Sequence, residues 1–327
     1  MTENLLKKIA KSQLDSDFYS GLEKADLELE NELDRICITD DLKRAVMSGG
    51  KRMRPNLAYT AYRLGSSDTE IVPLMVMVEL MHSASLIHDD VVDKAEIRRN
   101  VPTINATSGD YRAVQSADYL LSRAMEYLHV YRGSGIDERL AEVSLGMCRG
   151  EFLEIREAFR ISEDAEEKYF ELIRHKTAIF IGACAACGGI AGGLPAEYVK
   201  SLEDYGTYLG IAFQIRDDCL DYEGEAVFGK KIGQDLDSGL CTLPLIYAMK
   251  AEPLLYSLLK TRNPNGSLSP KDREYVIKKV CRYGINDCRR LVEEYSTMAV
   301  EAIKDIPSSP AKDALILMAE GLKNRKK

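Results

Sequence analysis

Apolar residues recur at three- and four-residue spacing over residues 4–47, with none of the strict alternation that marks a half-buried strand. A break follows at Ser48-Gly49-Gly50, and the same period resumes over 55–66 and 71–93. The second of these runs is apolar nearly all round, interrupted only by Glu79, His82, His88 and a group of acids at its end. A helix without a polar face belongs in a core. Helical spacing continues over 112–131, 136–160, 163–181 and 197–222. A glycine-containing loop from Gly224 to Gly239 holds Lys230, Lys231 and Asp235, and Thr242-Leu243-Pro244 opens a further helix. The last third alternates helices with turns at Asn263–Ser269, Gly284 and Pro307–Pro310. No strand, fixed-period repeat or low-complexity linker is legible. The pattern predicts an all-α protein of one domain spanning residues 1–327.

Two places break the pattern in the same way. In ASLIHDDVVDKAEIRRN, an apolar helix ends on Asp89, Asp90 and Asp93; in FQIRDDCLDYEG, another ends on Asp217, Asp218 and Asp221. The first and last acid of each DDxxD stand one helical turn apart, a spacing that costs a few tenths of a kcal/mol in repulsion even at a surface. Burying such carboxylates unpaired would cost far more. A cation is therefore expected at each cluster, and two carboxylate walls facing one cavity suit Mg²⁺, which takes one or two carboxylates together with phosphate oxygens and water. The segment GGKRMRP sets flexible glycines beside Lys51, Arg52 and Arg54, and reads either as a solvated loop ahead of a helix beginning near Pro55 or as a clamp whose donors match a diphosphate.

Charge and cysteine usage narrow the class. The chain carries 44 basic and 52 acidic residues, net −8, with no basic block to favour nucleic acid. Its eight cysteines (37, 148, 184, 187, 219, 241, 281 and 288) lie scattered in apolar helical contexts. Cys184 and Cys187 form a CxxC, but no second pair has zinc spacing. With no signal peptide in MTENLLKKIAKSQLD, this reads as reduced thiols in a cytoplasmic protein. Thr177 to Ala196 is free of charge and nominally long enough to span a bilayer. It is rich in Ala, Cys and Gly, and Gly188-Gly189, Gly192-Gly193 and Pro195 would end a helix early. A buried, closely packed helix is expected instead of a transmembrane segment.

The pieces GGKRMRP, LIHDDVVDKAEIRRN, HKTA, FQIRDDCLDYEG and GKKIGQDLDSGLCTLPL, in this order, resemble the trans-isoprenyl diphosphate synthases, the farnesyl, geranylgeranyl and longer polyprenyl group. The resemblance implies an antiparallel helix bundle of the isoprenoid synthase type around a central cavity, usually as a homodimer. It also implies that an allylic diphosphate loses diphosphate with Mg²⁺ bound and is attacked by isopentenyl diphosphate. Carried over by position, Asp89, Asp93 and Asp217 would bind metal, with Asp90, Asp218 and Asp221 in support. Arg98, Lys176 and Lys231 would hold the allylic diphosphate, and Lys51, Arg54, His82 and Arg99 isopentenyl diphosphate. Thr177 and Gln214 would point oxygen dipoles at the allylic cation. The sequence departs from the family at Leu240, where Lys is usual, at Asn100, where Gly is usual, and at Gln115-Ser116-Ala117-Asp118.

A terpene cyclase would share the helices and the first cluster, but its second metal motif mixes Asn, Ser and Glu. A non-catalytic partner subunit tends to lose an acid cluster, and both are intact here. Product length is read from Ser85 and Ala84, four and five residues before Asp89, where synthases that stop early carry a bulky aromatic at one of the two. Both are small, and Met81 follows about 12 Å beyond the acid at 1.5 Å per residue. A product of five or more isoprene units is expected, with geranylgeranyl as the alternative.

Overall fold

The computed structural model describes residues 16–48, 50, 52–223, 232–260 and 268–323. Its elements are helices apart from one minimal hairpin. They fall into two compact units, one formed by residues 1–141, 183–203 and 303–318, the other by 142–182, 204–302 and 319–327.

The first unit is built on α4 (Val72–Val92), surrounded by α1 (Ser16–Ile36), α2 (Asp40–Met47), α3 (Met53–Tyr62) and α6 (Asp110–Tyr127). The expected single run over 4–47 is two helices where described. Thr39, in extended backbone, stops the first and caps the second by accepting from the Leu42 amide at 3.3 Å. Leu74, Met75, Val76, Met77, Val78, Leu80, Met81 and Ala84 of α4 are all at most 2% exposed, as an all-apolar helix requires. Each large side chain among them contributes roughly 1.5–3 kcal/mol on burial. Against them α6 sets Ala113, Ala117, Leu120 and Ala124, at helical spacing and small enough for close approach.

After α4 come β1 (Ile97–Arg98) and β2 (Val101–Pro102), paired antiparallel, then α5 (Ile104–Ser108). This corrects the expectation of no strand. The two linking residues, Arg99 and Asn100, have φ of 51° and 64°, the left-handed pair of a two-residue hairpin turn. Asn is the side chain that tolerates that backbone best after glycine, so Asn100 fills its unusual place without a change of fold.

α6 runs into a 3₁₀ turn over Leu128–Tyr131, followed by α7 (Ile136–Glu157), α8 (Ala165–Ile173), a π turn over Arg174–Ala178, α9 (Ile179–Ala191) and α10 (Ala196–Glu223). α9 does end early, at Ala191 ahead of Gly192-Gly193, while Gly188-Gly189 lie within it. Gly188 serves packing: a Cβ there would lie 2.2 Å from the Ala58 carbonyl oxygen of α3. The uncharged run is thus a closely packed core helix. Among the described residues no helix is long and apolar enough to cross a membrane. All eight cysteines are free thiols.

The second unit continues with α11 (Gln234–Asp237), α12 (Leu243–Ala251), α13 (Pro253–Lys260), α14 (Pro270–Tyr283) and α15 (Ile285–Ala302). α16 (Pro310–Lys323) closes the described chain. Leu243, Leu245 and Ile246 of α12 pack with Val276 and Val280 of α14 and Ile285 and Val292 of α15 to form much of its core.

Candidate active site

In the first unit the site is the C-terminal end of α4. The helix stops ahead of Lys94, which is left-handed (φ 52°), and side chains from the next segment bond to carbonyls on either side of that stop. Thr103 donates to the Ala95 carbonyl at 2.6 Å, and Asn105 donates to the Asp90 and Ala95 carbonyls at 3.1 and 2.9 Å. These bonds fix the hairpin against the helix end. Arg98 then donates from Nε to the Asp90 carboxylate at 2.6 Å. Asp90 is only 5% exposed; burial pushes its carboxyl up, and the Arg98 bond opposes that. Asp89 is half-buried and Asp93 exposed.

About two and three turns before Asp89, α4 presents His82 and Glu79. Glu79, 2% exposed, pairs with Arg52, which also donates to the Val46 carbonyl at 3.1 Å. The guanidinium of Arg99 feels the same carboxylate. Arg52 and Arg99 both hold left-handed backbone, φ 46° and 51°, which costs a non-glycine residue about 1–2 kcal/mol. Such strain concentrates where side chains must be aimed. Arg54 lies 3.2 Å from Nε2 of His82. A guanidinium can only donate, so Nε2 is the bare nitrogen and His82 is neutral. Burial, followed by the fields of Arg54, Arg99, Arg98 and Arg52, holds its pKa well below the usual histidine value. His82 thus orients Arg54 within a cluster of arginines whose buried counter-ion is Glu79.

In the second unit the π turn lies on the HKTA segment. Such a turn aims side chains that a regular helix would send elsewhere. Lys176 ion-pairs with Glu154 at 2.7 Å and Glu151 at 3.0 Å, one turn apart on α7. The next residue begins a chain of hydrogen bonds. Thr177 donates to Gln214 Oε1 (2.8 Å), Gln214 Nε2 donates to Asp218 (2.8 Å), and the Tyr169 hydroxyl donates to the other Asp218 oxygen (2.6 Å). Asp218 is 5% exposed, and its pKa is pushed up to about 7, first by burial and then by Asp217 and Asp221, against the pull of its two donors. Asp217 is exposed. Asp221 accepts from the amides of Gln234 (3.1 Å) and Asp235 (3.2 Å), capping α11. Asp235 thereby joins the second cluster, and burial followed by the charges of Asp218, Asp221 and Asp217 drives its pKa well above the carboxylate range.

The two acid clusters share one design. In each, the middle acid is buried and held by protein donors, while the first acid is the less buried. Among the described residues no three His, Cys, Asp or Glu side chains converge on one metal position. An all-oxygen set of one or two carboxylates that leaves room for phosphate oxygens fits Mg²⁺. Arg54, His82 and Arg99 lie together, as do Thr177 and Gln214; Lys51 and Lys231 lie outside the described residues. Sequence reasoning gave no role to Glu79, Tyr169, Glu151, Glu154 or Asp235, and it read Arg52 as a diphosphate donor, whereas Arg52 is paired with Glu79 and the Val46 carbonyl. Glu79 had one local signal, an acid in an otherwise apolar helix; Tyr169 had none.

Residues 37–280 match the model of the polyprenyl synthetase family. The chain is 38% identical over 264 residues to a probable mitochondrial hexaprenyl pyrophosphate synthase of Neurospora crassa, covering 77% of this chain and 58% of that one. It is 34% identical over 284 residues to the octaprenyl diphosphate synthase of Escherichia coli, covering 84% of this chain and 85% of the relative. A solved decaprenyl diphosphate synthase from Rhodobacter capsulatus superposes with a TM-score of 0.86 at 30% identity, over 95% of this chain and 99% of that one.

Proposed function

The chain belongs to the polyprenyl synthetase family, and on that premise we propose that it condenses isopentenyl diphosphate with an allylic diphosphate (1′-4, trans) to give an all-trans polyprenyl diphosphate of five or more isoprene units. The observation that carries this reading is the shared design of Asp89-Asp90-Asp93 and Asp217-Asp218-Asp221. Mg²⁺ held by Asp89 and Asp93 of the first cluster, and by Asp217 of the second with Asp221 and Asp235 beside it, would neutralise the leaving diphosphate. Arg98, Lys176 and Lys231 would bind the allylic diphosphate, Lys176 exchanging its pairing with Glu151 and Glu154 for phosphate oxygens. Lys51, Arg54 and Arg99 would bind isopentenyl diphosphate, with neutral His82 and buried Glu79 holding the arginines in place. Thr177 donates its only hydroxyl hydrogen to Gln214 and so keeps lone pairs for an allylic cation. The departing diphosphate would accept the final proton.

Residues 1–327 would act as one synthase domain, a reading supported by a family match that runs through both units. A long product is supported by relatives whose names specify hexaprenyl, octaprenyl and decaprenyl chains. Ser85, small and half-buried, is the relevant position; Ala84 is fully buried among core side chains. A homodimer is supported by Leu145, Cys148, Phe152 and Ile155, an exposed stripe on α7 at 3-4-3 spacing in which Leu145 is 74% and Phe152 75% exposed. Like the stripe of a coiled coil, it suits a second copy. A cytoplasmic location is part of the same reading, supported by the eight free thiols. The test is incubation of the purified chain with Mg²⁺, labelled isopentenyl diphosphate and a series of allylic primers, followed by chromatography of the dephosphorylated products. Chains longer than geranylgeranyl are expected. No product would indicate a non-catalytic subunit, and released hydrocarbon a cyclase.

A further inference from the structure

The geometry assigns Tyr169 as a positioning residue that sets the polarity of the oxygen dipoles offered to the allylic cation, acting through Asp218 and Gln214 on Thr177. This rests on the prenyl-transfer reading above. With Asp218 ionised, each link in the chain has one direction. The Tyr169 hydroxyl and the Gln214 NH₂ occupy different oxygens of Asp218, at 2.6 and 2.8 Å, so the carboxylate accepts at both ends. With its NH₂ committed to Asp218, Gln214 can turn only its carbonyl oxygen to Thr177. The Thr177 hydroxyl must then donate, and its lone pairs are left for positive charge.

The opposite amide rotamer would present an NH₂ to Thr177, and the threonine oxygen would spend a lone pair accepting from it. A donor would then stand where the reaction needs an acceptor. An amide rotates easily about its terminal torsion, so shape alone does not choose between the two states. The choice is made by Asp218, and Asp218 is held in place by Tyr169. Tyr169 is 4% exposed on α8, 49 residues from Asp218 in the chain, and its phenol is kept protonated by burial and by that carboxylate. Its hydroxyl is linked to Thr177 through Asp218 and Gln214.

Tyr169→Phe removes the donor while keeping the ring. Loss of one aimed dipole in a dry site costs on the order of 10²-fold, and loosening its support should cost roughly 10- to 100-fold in kcat, with KM for both diphosphates within about threefold. The decisive readout is binding in the presence of Mg²⁺ of two allylic diphosphate analogues, one with an ammonium centre in place of the allylic cation and a thiolodiphosphate with no positive charge at that carbon. The ammonium mimic should weaken by the same factor as kcat, and the thiolodiphosphate by less than about twofold. In a Thr177→Val background, Tyr169→Phe should cost less than about twofold more, because the oxygen it serves is gone. Equal weakening of both analogues, or losses that multiply in the double variant, would overturn the assignment in favour of a merely structural tyrosine. If Tyr169→Phe does not fold, Tyr169→Met, which also lacks the donor and fills the space with an adaptable side chain, must show the same selective loss of the ammonium mimic. Failure of the wild type to form any prenyl product would sink the parent reading; normal wild-type turnover with an unaffected Tyr169→Phe would sink this inference alone.

Discussion

Gly150→Ala is the sharpest test of how α7 supports the reacting groups. Gly150 lies where α7 passes the π turn, and a Cβ built on it falls 2.9 Å from the Lys176 amide nitrogen, 3.0 Å from its Cα and 3.1 Å from its Cβ. Ordinary contact begins at 3.4 Å, so the segments must part by at least 3.4 − 2.9 = 0.5 Å. Two of the three obstructing atoms are backbone, and no side-chain rotation relieves the overlap. Overpacking of this kind costs about 1–3 kcal/mol, which for a chain of this size lowers Tm by roughly 2–4 °C per kcal/mol. The displacement falls on Lys176 and Thr177 themselves. A 1 Å misplacement can cost on the order of 100-fold, so half that distance should cost about 10-fold in kcat. KM for the allylic substrate should rise, and KM for isopentenyl diphosphate should stay near wild type, since Arg54 and Arg99, proposed to bind it, belong to the other unit. Gly146→Ala is the matched control. One turn earlier on α7, its Cβ would meet the tip of the Ile179 side chain at 3.1 Å, which can rotate away. Steady-state kinetics with both substrates varied, alongside thermal unfolding, decide the matter. Gly150→Ala retaining more than half the wild-type kcat, or Gly146→Ala losing as much, would refute the argument.

Glu79→Ala should destabilise the fold by about 3–5 kcal/mol, since it strands Arg52 in the interior; chemical denaturation measures the loss, and a change under 1 kcal/mol would show that the pair is not load-sharing. His82 is kept neutral in the fold but takes up a proton near pH 6.5 once unfolded, so stability is fully present above that pH and falls below it. Its slope is limited to about 1.4 kcal/mol per pH unit, and His82→Gln should flatten the decline between pH 7 and 5 in melting experiments. Ser85→Phe should shorten the product visibly on chromatography, whereas an unchanged ladder would place the chain-length floor elsewhere. Leu240→Lys should lower KM for the allylic diphosphate, because a charge-assisted bond to phosphate is worth roughly 1.5–3 kcal/mol; an unchanged KM would mean another cation already serves.

The sequence by itself determined whatever depends on neighbours within a turn or two. The i, i+4 acids of both clusters, the all-apolar α4 and the cations before α3 are local patterns, and the helical period converts each directly into a face. The two-residue hairpin escaped because strands that short carry no period, and the π turn because a one-residue register shift leaves no trace in hydrophobic spacing. What only the tertiary structure decided is the role of each acid within its cluster. Asp89 and Asp90 are the same residue in adjacent places, yet Asp90 turns to Arg98 while Asp89 remains the more exposed. Asp218 is fixed by Tyr169, 49 residues away, and Glu79 by Arg52, 27 residues away. Those partners meet because helices distant in sequence pack side by side, and a buried carboxylate must find a donor in whatever its neighbours present.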